Sequence, residues 1–186
     1  MKRLFVAIEM PAPVKAIAIE TKALLEQELI EAGWVPPGNV HLTLKFLGDS
    51  PDERIGQIIL RLRLALADRT ACLSATTSFG AFPSEKRARI LWLGIEDTPE
   101  LKKIYNNIES ALNELGFDFD KRPFRPHLTL ARLKRPISVD IGLIDSKINA
   151  KQPVSVGAVA LFSSRLSSAG AVYELLAKID LMPARA

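Results

Sequence analysis

His41-Leu42-Thr43-Leu44 and His127-Leu128-Thr129-Leu130 are one tetrapeptide written twice, and they hold both histidines of the 186-residue chain. Side chains alternate between the two faces of a β-strand. Each copy therefore reads as a strand with His and Thr on one face and two leucines on the other. An imidazole exchanges a proton near neutral pH, and a neighbouring hydroxyl donates a hydrogen bond. One copy is half of an acid–base site, and two copies complete it. The plain alternative is a half-exposed strand whose polar face is simply wet. That accounts for one copy more readily than for two copies that use up every histidine.

Outward from the motifs, the periodicities alternate between strand and helix. Leu4 to Ile8 is rich in β-formers and reads as a strand. Val14, Ile17, Ala18, Leu24, Leu25 and Leu29 follow helical spacing, which predicts a helix over residues 13–31 with Gly33 as its stop. Val40 to Leu47 is a strand, and Ser50-Pro51-Asp52-Glu53 reads as a helix start. Ile55, Ile58, Ile59, Leu62 and Leu66 continue that helix. Strands follow at about 73–79 and 89–95. Thr98-Pro99-Glu100 then opens a helix through Leu115, with Gly116 as its stop. After the second motif come a weaker helix over about 139–148 and strands over 154–162 and 172–179.

Both halves thus read helix, motif strand, helix, strand, strand, and 86 residues separate His41 from His127. The expectation is one bilobal domain over residues 1–186 with an internal duplication, its approximate repeats covering 11–95 and 98–180. The fold class is α+β: two pseudo-symmetric lobes, each an antiparallel sheet with helices packed outside. An approximate two-fold axis would set His41 and His127 on opposite walls of a cleft between them.

Composition narrows the chemistry. Apolar residues make up 48% and charged residues 25%, as in an ordinary globular protein. The net charge of +4 favours an anionic partner, mildly. Cys72 is the single cysteine, which excludes an intramolecular disulfide and a cysteine zinc cluster. The apolar run after Met1-Lys2-Arg3 breaks at Glu9 and meets Pro11 and Pro13, too early for a signal peptide or a membrane span. A cytoplasmic protein without an anchor is expected. No Gly-x-x-x-x-Gly-Lys loop signals ATP, and no Gly-x-Ser-x-Gly elbow marks a hydrolase serine. Two histidines without carboxylate partners make a poor metal site. Neither a metal nor another cofactor is expected.

The second motif lies in a basic stretch, with no acid between Lys121 and Arg135. Such a run attracts phosphate, and arginine does so with two-pronged geometry. Lys134 and Arg135 read as solvated, and Lys86-Arg87-Ala88-Arg89 as a hairpin tip. Arg132 poses a parity problem. It lies five residues after His127, so strict alternation turns it away from the histidine face unless a bulge intervenes. Trp34, Phe82, Phe124 and Tyr173 are of the type that stacks on a base, with core or rim packing as the alternative.

Paired His-x-Thr-x strands in a duplicated chain resemble the two-histidine phosphoesterases. Within these, the chain is similar to the bacterial and archaeal RNA 2′,3′-cyclic phosphodiesterases, also called 2′-5′ RNA ligases. The similarity runs through Arg3-Leu4-Phe5-Val6-Ala7-Ile8, then Asn39-Val40-His41-Leu42-Thr43-Leu44-Lys45-Phe46-Leu47-Gly48. It continues in Gly80-Ala81-Phe82-Pro83, Leu91-Trp92-Leu93-Gly94 and Arg122-Pro123-Phe124-Arg125-Pro126-His127-Leu128-Thr129-Leu130-Ala131-Arg132. The resemblance implies catalysis by His41 and His127, with His41 as acid and His127 as base. It implies phosphate binding by Thr43, Thr129 and Arg132, to which Arg125 is added, and so a bulge before Arg132. It further implies an RNA partner with 2′,3′-cyclic phosphate ends, tRNA fragments among them, and a monomer. The rival readings are a non-catalytic RNA-end-binding protein and a phosphodiesterase for a small nucleotide or a 2′-5′ oligomer.

Overall fold

The computed structural model describes residues 1–29, 31–167 and 170–184. In chain order the elements are β1 (Lys2–Glu9), α1 (Ala12–Leu25), β2 (Ala32–Trp34), β3 (His41–Ser50), α2 (Ile55–Leu66), β4 (Cys72–Phe82), β5 (Ala88–Ile95), α3 (Pro99–Asn113), β6 (His127–Ile137), α4 (Ile141–Lys147), β7 (Pro153–Val156), β8 (Ala158–Ser167) and β9 (Gly170–Asp180). The order β1-α1-β3-α2-β4 recurs as β5-α3-β6-α4-β8. Equivalent strands, and the pair α2 and α4, start 86 residues apart.

Strand pairing interlocks the halves. The strands run in the order β7-β4-β5-β6-β3-β1-β8-β9, with β2 on β6, and the named pairs are antiparallel. Taking the units as β1 to β4 and β5 to β8, the last strand of each lies beside the first strand of the other: β4 on β5, and β8 on β1. Neither half can complete its sheet alone. Two walls result, β7-β4-β5-β6 with the short β2 and β3-β1-β8-β9, and they meet where β3 and β6 share one register pair, Leu42 with Leu128.

The helices pack on the outer face because their apolar stripes and the motif leucines need each other. Ile58, Leu62 and Leu66 of α2 and Leu101, Ile104, Ile108 and Leu112 of α3 are buried in one core with Leu42, Leu44, Leu128 and Leu130. Burying each such side chain stabilises the fold by about 1.5–3 kcal/mol. A second, smaller cluster of Phe5, Ala7, Ala160 and Phe162 lies apart from that core, with Tyr173 against it. No helix among the described residues is long and apolar enough to cross a membrane.

Several local expectations are corrected. The helix expected over 13–31 ends at Leu25, and Ile30 within it lies outside the described residues. Gly33 does not stop a helix; it sits in β2 opposite Arg132. Leu29 continues the helical spacing but is buried beyond a turn, and pairing with β6 overrides local periodicity. Ser50 ends β3 instead of capping α2, which starts after a 3-10 turn over Asp52–Arg54. The strand expected over 154–162 is two strands, β7 and β8, separated at Gly157. Thr98 does cap α3, its Oγ1 accepting the Leu101 N–H at 3.3 Å. Gly116 beyond α3 has φ +84°, a conformation only glycine adopts cheaply.

Candidate active site

The motif strands present their side chains as the alternation requires. Leu42, Leu44, Leu128 and Leu130 are buried, while His41, Thr43, His127 and Thr129 are half-buried on the other face. Both imidazoles are held in the same way. His41 Nδ1 lies 2.6 Å from the carbonyl oxygen of Asn39, and His127 Nδ1 lies 2.7 Å from that of Arg125. A carbonyl only accepts, so Nδ1 carries the proton in each ring and Nε2 is left as the basic nitrogen. The hydroxyl of Thr43 lies 3.0 Å from His41 Nε2 and donates to it.

Aromatic rings brace both histidines. His41 sits against Phe5 at 4.9 Å between centroids and edge-on to Tyr173 at 5.3 Å. His127 sits edge-on to Phe82 at 5.2 Å and near Trp92 at 6.2 Å. The Trp92 ring lies over Gly80, occupying the space where a Cβ would stand. Of the four aromatic candidates from the sequence, Tyr173 and Phe82 thus reach the histidines. Trp34 packs against the main core, and Phe124 stacks on Tyr105 at 4.0 Å. Phe5 and Trp92 are not among those candidates. Neither are the carbonyls of Asn39 and Arg125, although their positions, each two residues before a histidine, are the available signal.

The parity problem at Arg132 has a structural answer. Between β5 and β6, Leu91 pairs with Ala131 but Trp92 pairs with Thr129, so Leu130 is an extra residue in its strand. Leu130 and Ala131 are both buried, and Arg132 emerges exposed. The same slip occurs in the first copy, where Val6 pairs with Lys45 and Ala7 with Thr43, leaving Leu44 extra. A bulge at one offset in both copies turns residues 46 and 132 back to the histidine side.

Arg132 acts electrostatically on the opposite wall. Burial lowers the pKa of His41; the bond to Asn39 opposes that, and the positive charge of Arg132 adds to it. Arg132 likewise opposes the upward push that burial gives the Tyr173 phenol. Arg125 contributes its carbonyl, and its side chain is exposed. Lys134 is exposed, its carbonyl accepting from Arg89 at 3.1 Å, and Arg135 pairs with Glu31 at 3.5 Å. Among the described residues, no three His, Cys, Asp or Glu side chains gather as metal ligands.

Both the sequence and the fold have relatives among known proteins. The model of the 2′-5′ RNA ligase superfamily matches residues 15–165. An RNA 2′,3′-cyclic phosphodiesterase of Thermotoga maritima is 32% identical over 174 residues, covering 94% of this chain and 92% of that protein. One of Thermus thermophilus is 32% identical over 199 residues, covering 96% and 90%. The crystal structure of TT0787 from Thermus thermophilus superposes with a TM-score of 0.81 at 27% identity, covering 98% of this chain and 100% of that one. E. coli LigT complexed with 3′-AMP shares the fold, with a TM-score of 0.79 at 24% identity over 97% and 98% of the two chains.

Proposed function

The chain belongs to the 2′-5′ RNA ligase superfamily, and from that membership we propose that it is an RNA 2′,3′-cyclic phosphodiesterase. It opens a terminal cyclic phosphate to a 2′-phosphomonoester by two-histidine acid–base catalysis. The observation that carries this reading is the pair of imidazoles on equivalent strands, each with Nδ1 tied to the carbonyl two residues upstream. Both Nε2 atoms are thereby prepared for proton transfer.

A ribose 2′,3′-cyclic phosphate is a strained, singly charged diester. In-line opening needs a base on the water side of phosphorus and an acid on the leaving-oxygen side. His127 takes the proton from water. As the phosphorus–O3′ bond breaks, His41 delivers a proton to O3′, and the phosphate remains on O2′. Thr129 donates to the non-bridging oxygens as charge grows there, Thr43 does the same once His41 Nε2 is protonated and no longer accepts its hydroxyl, and Arg132 stabilises that charge. His41 starts from a lowered pKa. The bound phosphate offsets the nearby positive charge and favours the protonated ring that the acid role requires. Arg125 serves through its carbonyl and adds positive charge at the rim.

A 5′-hydroxyl RNA end in place of water gives a 2′-5′ linkage by the same proton transfers. The cyclic phosphate supplies the activation, so ATP is not required. The substrates are RNA ends of this kind, tRNA fragments among them, in the cytoplasm. A monomer suffices, because one chain carries both motif strands. The halves are read as an internal duplication, supported by the common offset of their strands.

The test is incubation of the pure protein, in chelator, with RNA ending in a 2′,3′-cyclic phosphate and with a cyclic mononucleotide. The expected product of both is the 2′-phosphate. Binding of the cyclic RNA end without turnover would support a non-catalytic end-binding protein instead, and turnover of the mononucleotide alone a small-nucleotide phosphodiesterase.

A further inference from the structure

A buried ion pair away from the histidine face has no part in the chemistry above. Lys45 follows the bulge residue Leu44 and turns inward, away from the histidine face. Its Nζ lies 2.8 Å from Glu109 Oε1 and 2.9 Å from Oε2, with the two side chains 7% and 6% exposed. The same ammonium donates to the carbonyl of Asp118, and Glu109 Oε2 accepts the Asp120 N–H at 3.1 Å. One turn earlier on the same face of α3, Tyr105 stacks on Phe124. The segment 117–126 is thus held on α3 at several points. It ends at Arg125, whose carbonyl holds His127 Nδ1, and at Pro126, whose carbonyl accepts from Ile95 at 3.0 Å.

This matters because the seam between the walls is thin: β3 and β6 share one register pair. Lys45 stands on the His41 strand, four residues from that histidine, while the segment it holds leads into His127. Removing two charges from water is costly, and an apolar pair of similar volume is often at least as stable. Stability alone is therefore a weak reason for an ion pair here. We propose that Lys45 and Glu109 are positioning residues that hold the segment 117–126, and through the Arg125 carbonyl set the His127 imidazole relative to the His41 strand. In-line attack needs both Nε2 atoms correctly placed about one phosphorus, and a displacement of about 1 Å costs up to about 10²-fold in rate.

The inference rests on the two-histidine reading for its kinetic consequence but not for its spectroscopic one. The test is the Lys45→Met/Glu109→Met double variant, with Lys45→Gln/Glu109→Gln read in the same way if the methionine pair does not fold. Urea unfolding establishes stability, and nitrogen-15 NMR follows the ring nitrogens of the two histidines. A folded variant is expected to loosen the His127 Nδ1–H bond, seen as faster proton exchange and an altered tautomer signal, while His41 keeps its own. It is also expected to lower kcat about 10- to 100-fold with a smaller change in KM. A stable double variant with an unaltered His127 signal would overturn the proposal, whatever reaction the protein catalyses. An altered signal with unchanged turnover would uphold the positioning role and count against His127 as the base.

Discussion

The strands β3 and β6 carry the same motif, the same Nδ1-to-carbonyl bond and the same bulge, yet they differ just beyond it. After the bulge, the first strand turns Lys45 into the protein and Phe46 outward, 65% exposed. The second buries Ala131 and turns Arg132 outward. One copy thus directs its cation to the core and an aromatic ring to the histidine side; the other buries a small apolar residue and presents the cation there. In the proposed mechanism the shared motif supplies the symmetric part, two equivalent proton-transfer groups. The residues after each bulge supply the asymmetric part, a positive charge on one wall that acts on the histidine of the other. A phosphodiester that loses one oxygen and gains another needs both parts, because the acid and base sides must differ.

The largest effects are expected where the copies agree. His41→Ala and His127→Ala should each lower kcat about 10²- to 10⁴-fold while circular dichroism shows a folded protein, since both rings stand outside the main core. The double variant should be little worse than either single one, because groups acting as a unit are non-additive. Wild-type-like turnover by either variant would break the equivalence of the two walls.

Next come the residues where the copies differ. Arg132→Ala should lower kcat about 10²-fold, and by the same factor for a cyclic mononucleotide as for a long RNA, because the proposed contact is to the reacting phosphate. The exchange Phe46→Arg/Arg132→Phe should not restore the rate. It keeps the net charge but moves the cation to the wall of His41. Recovery on exchange would mean that the charge matters and its wall does not.

A smaller effect concerns titration. Burial first, and Arg132 second, hold the pKa of His41 below its ordinary value. Removing a neighbouring positive charge makes protonation easier, so Arg132→Ala should raise that pKa and leave the contribution of burial in place. Proton NMR of the two histidines follows this directly, and a downward shift would contradict the charge assignment. The smallest effect is expected from Lys134→Ala/Arg135→Ala. These exposed residues should leave mononucleotide turnover unchanged and at most flatten the salt dependence of long-RNA binding.

The fold was legible where periodicity and repetition agreed. The duplicated tetrapeptides gave the strand faces, and Thr98 and Gly116 marked the ends of the segment around α3. Reading failed where tertiary pairing decides: Leu29 kept the helical period although the chain had left α1, and β2 exists because β6 offers it an edge. The pairing of β8 with β1 is likewise set by a partner distant in sequence, whereas β4 and β5 form a local hairpin. The site was partly legible. His and Thr follow from alternation, but alternation alone misplaces Arg132, because a bulge is a property of the pair of strands and not of one of them. The carbonyls of Asn39 and Arg125 carry no side-chain signature, and Phe5 reads as an ordinary strand residue until β1 is laid beside β3.

In the proposed mechanism two imidazoles from equivalent strands divide one proton relay, His127 as base and His41 as acid. The pH dependence of kcat/KM for a 2′,3′-cyclic mononucleotide, in the wild type and in each alanine variant, separates the two roles. A base fails when protonated and an acid fails when deprotonated, so the wild type should show a bell. His127→Ala should lose the acidic limb and keep the basic one, and His41→Ala should do the reverse. Retention of both limbs in either variant, or their loss in the opposite order, would rule out this division of roles between His127 and His41.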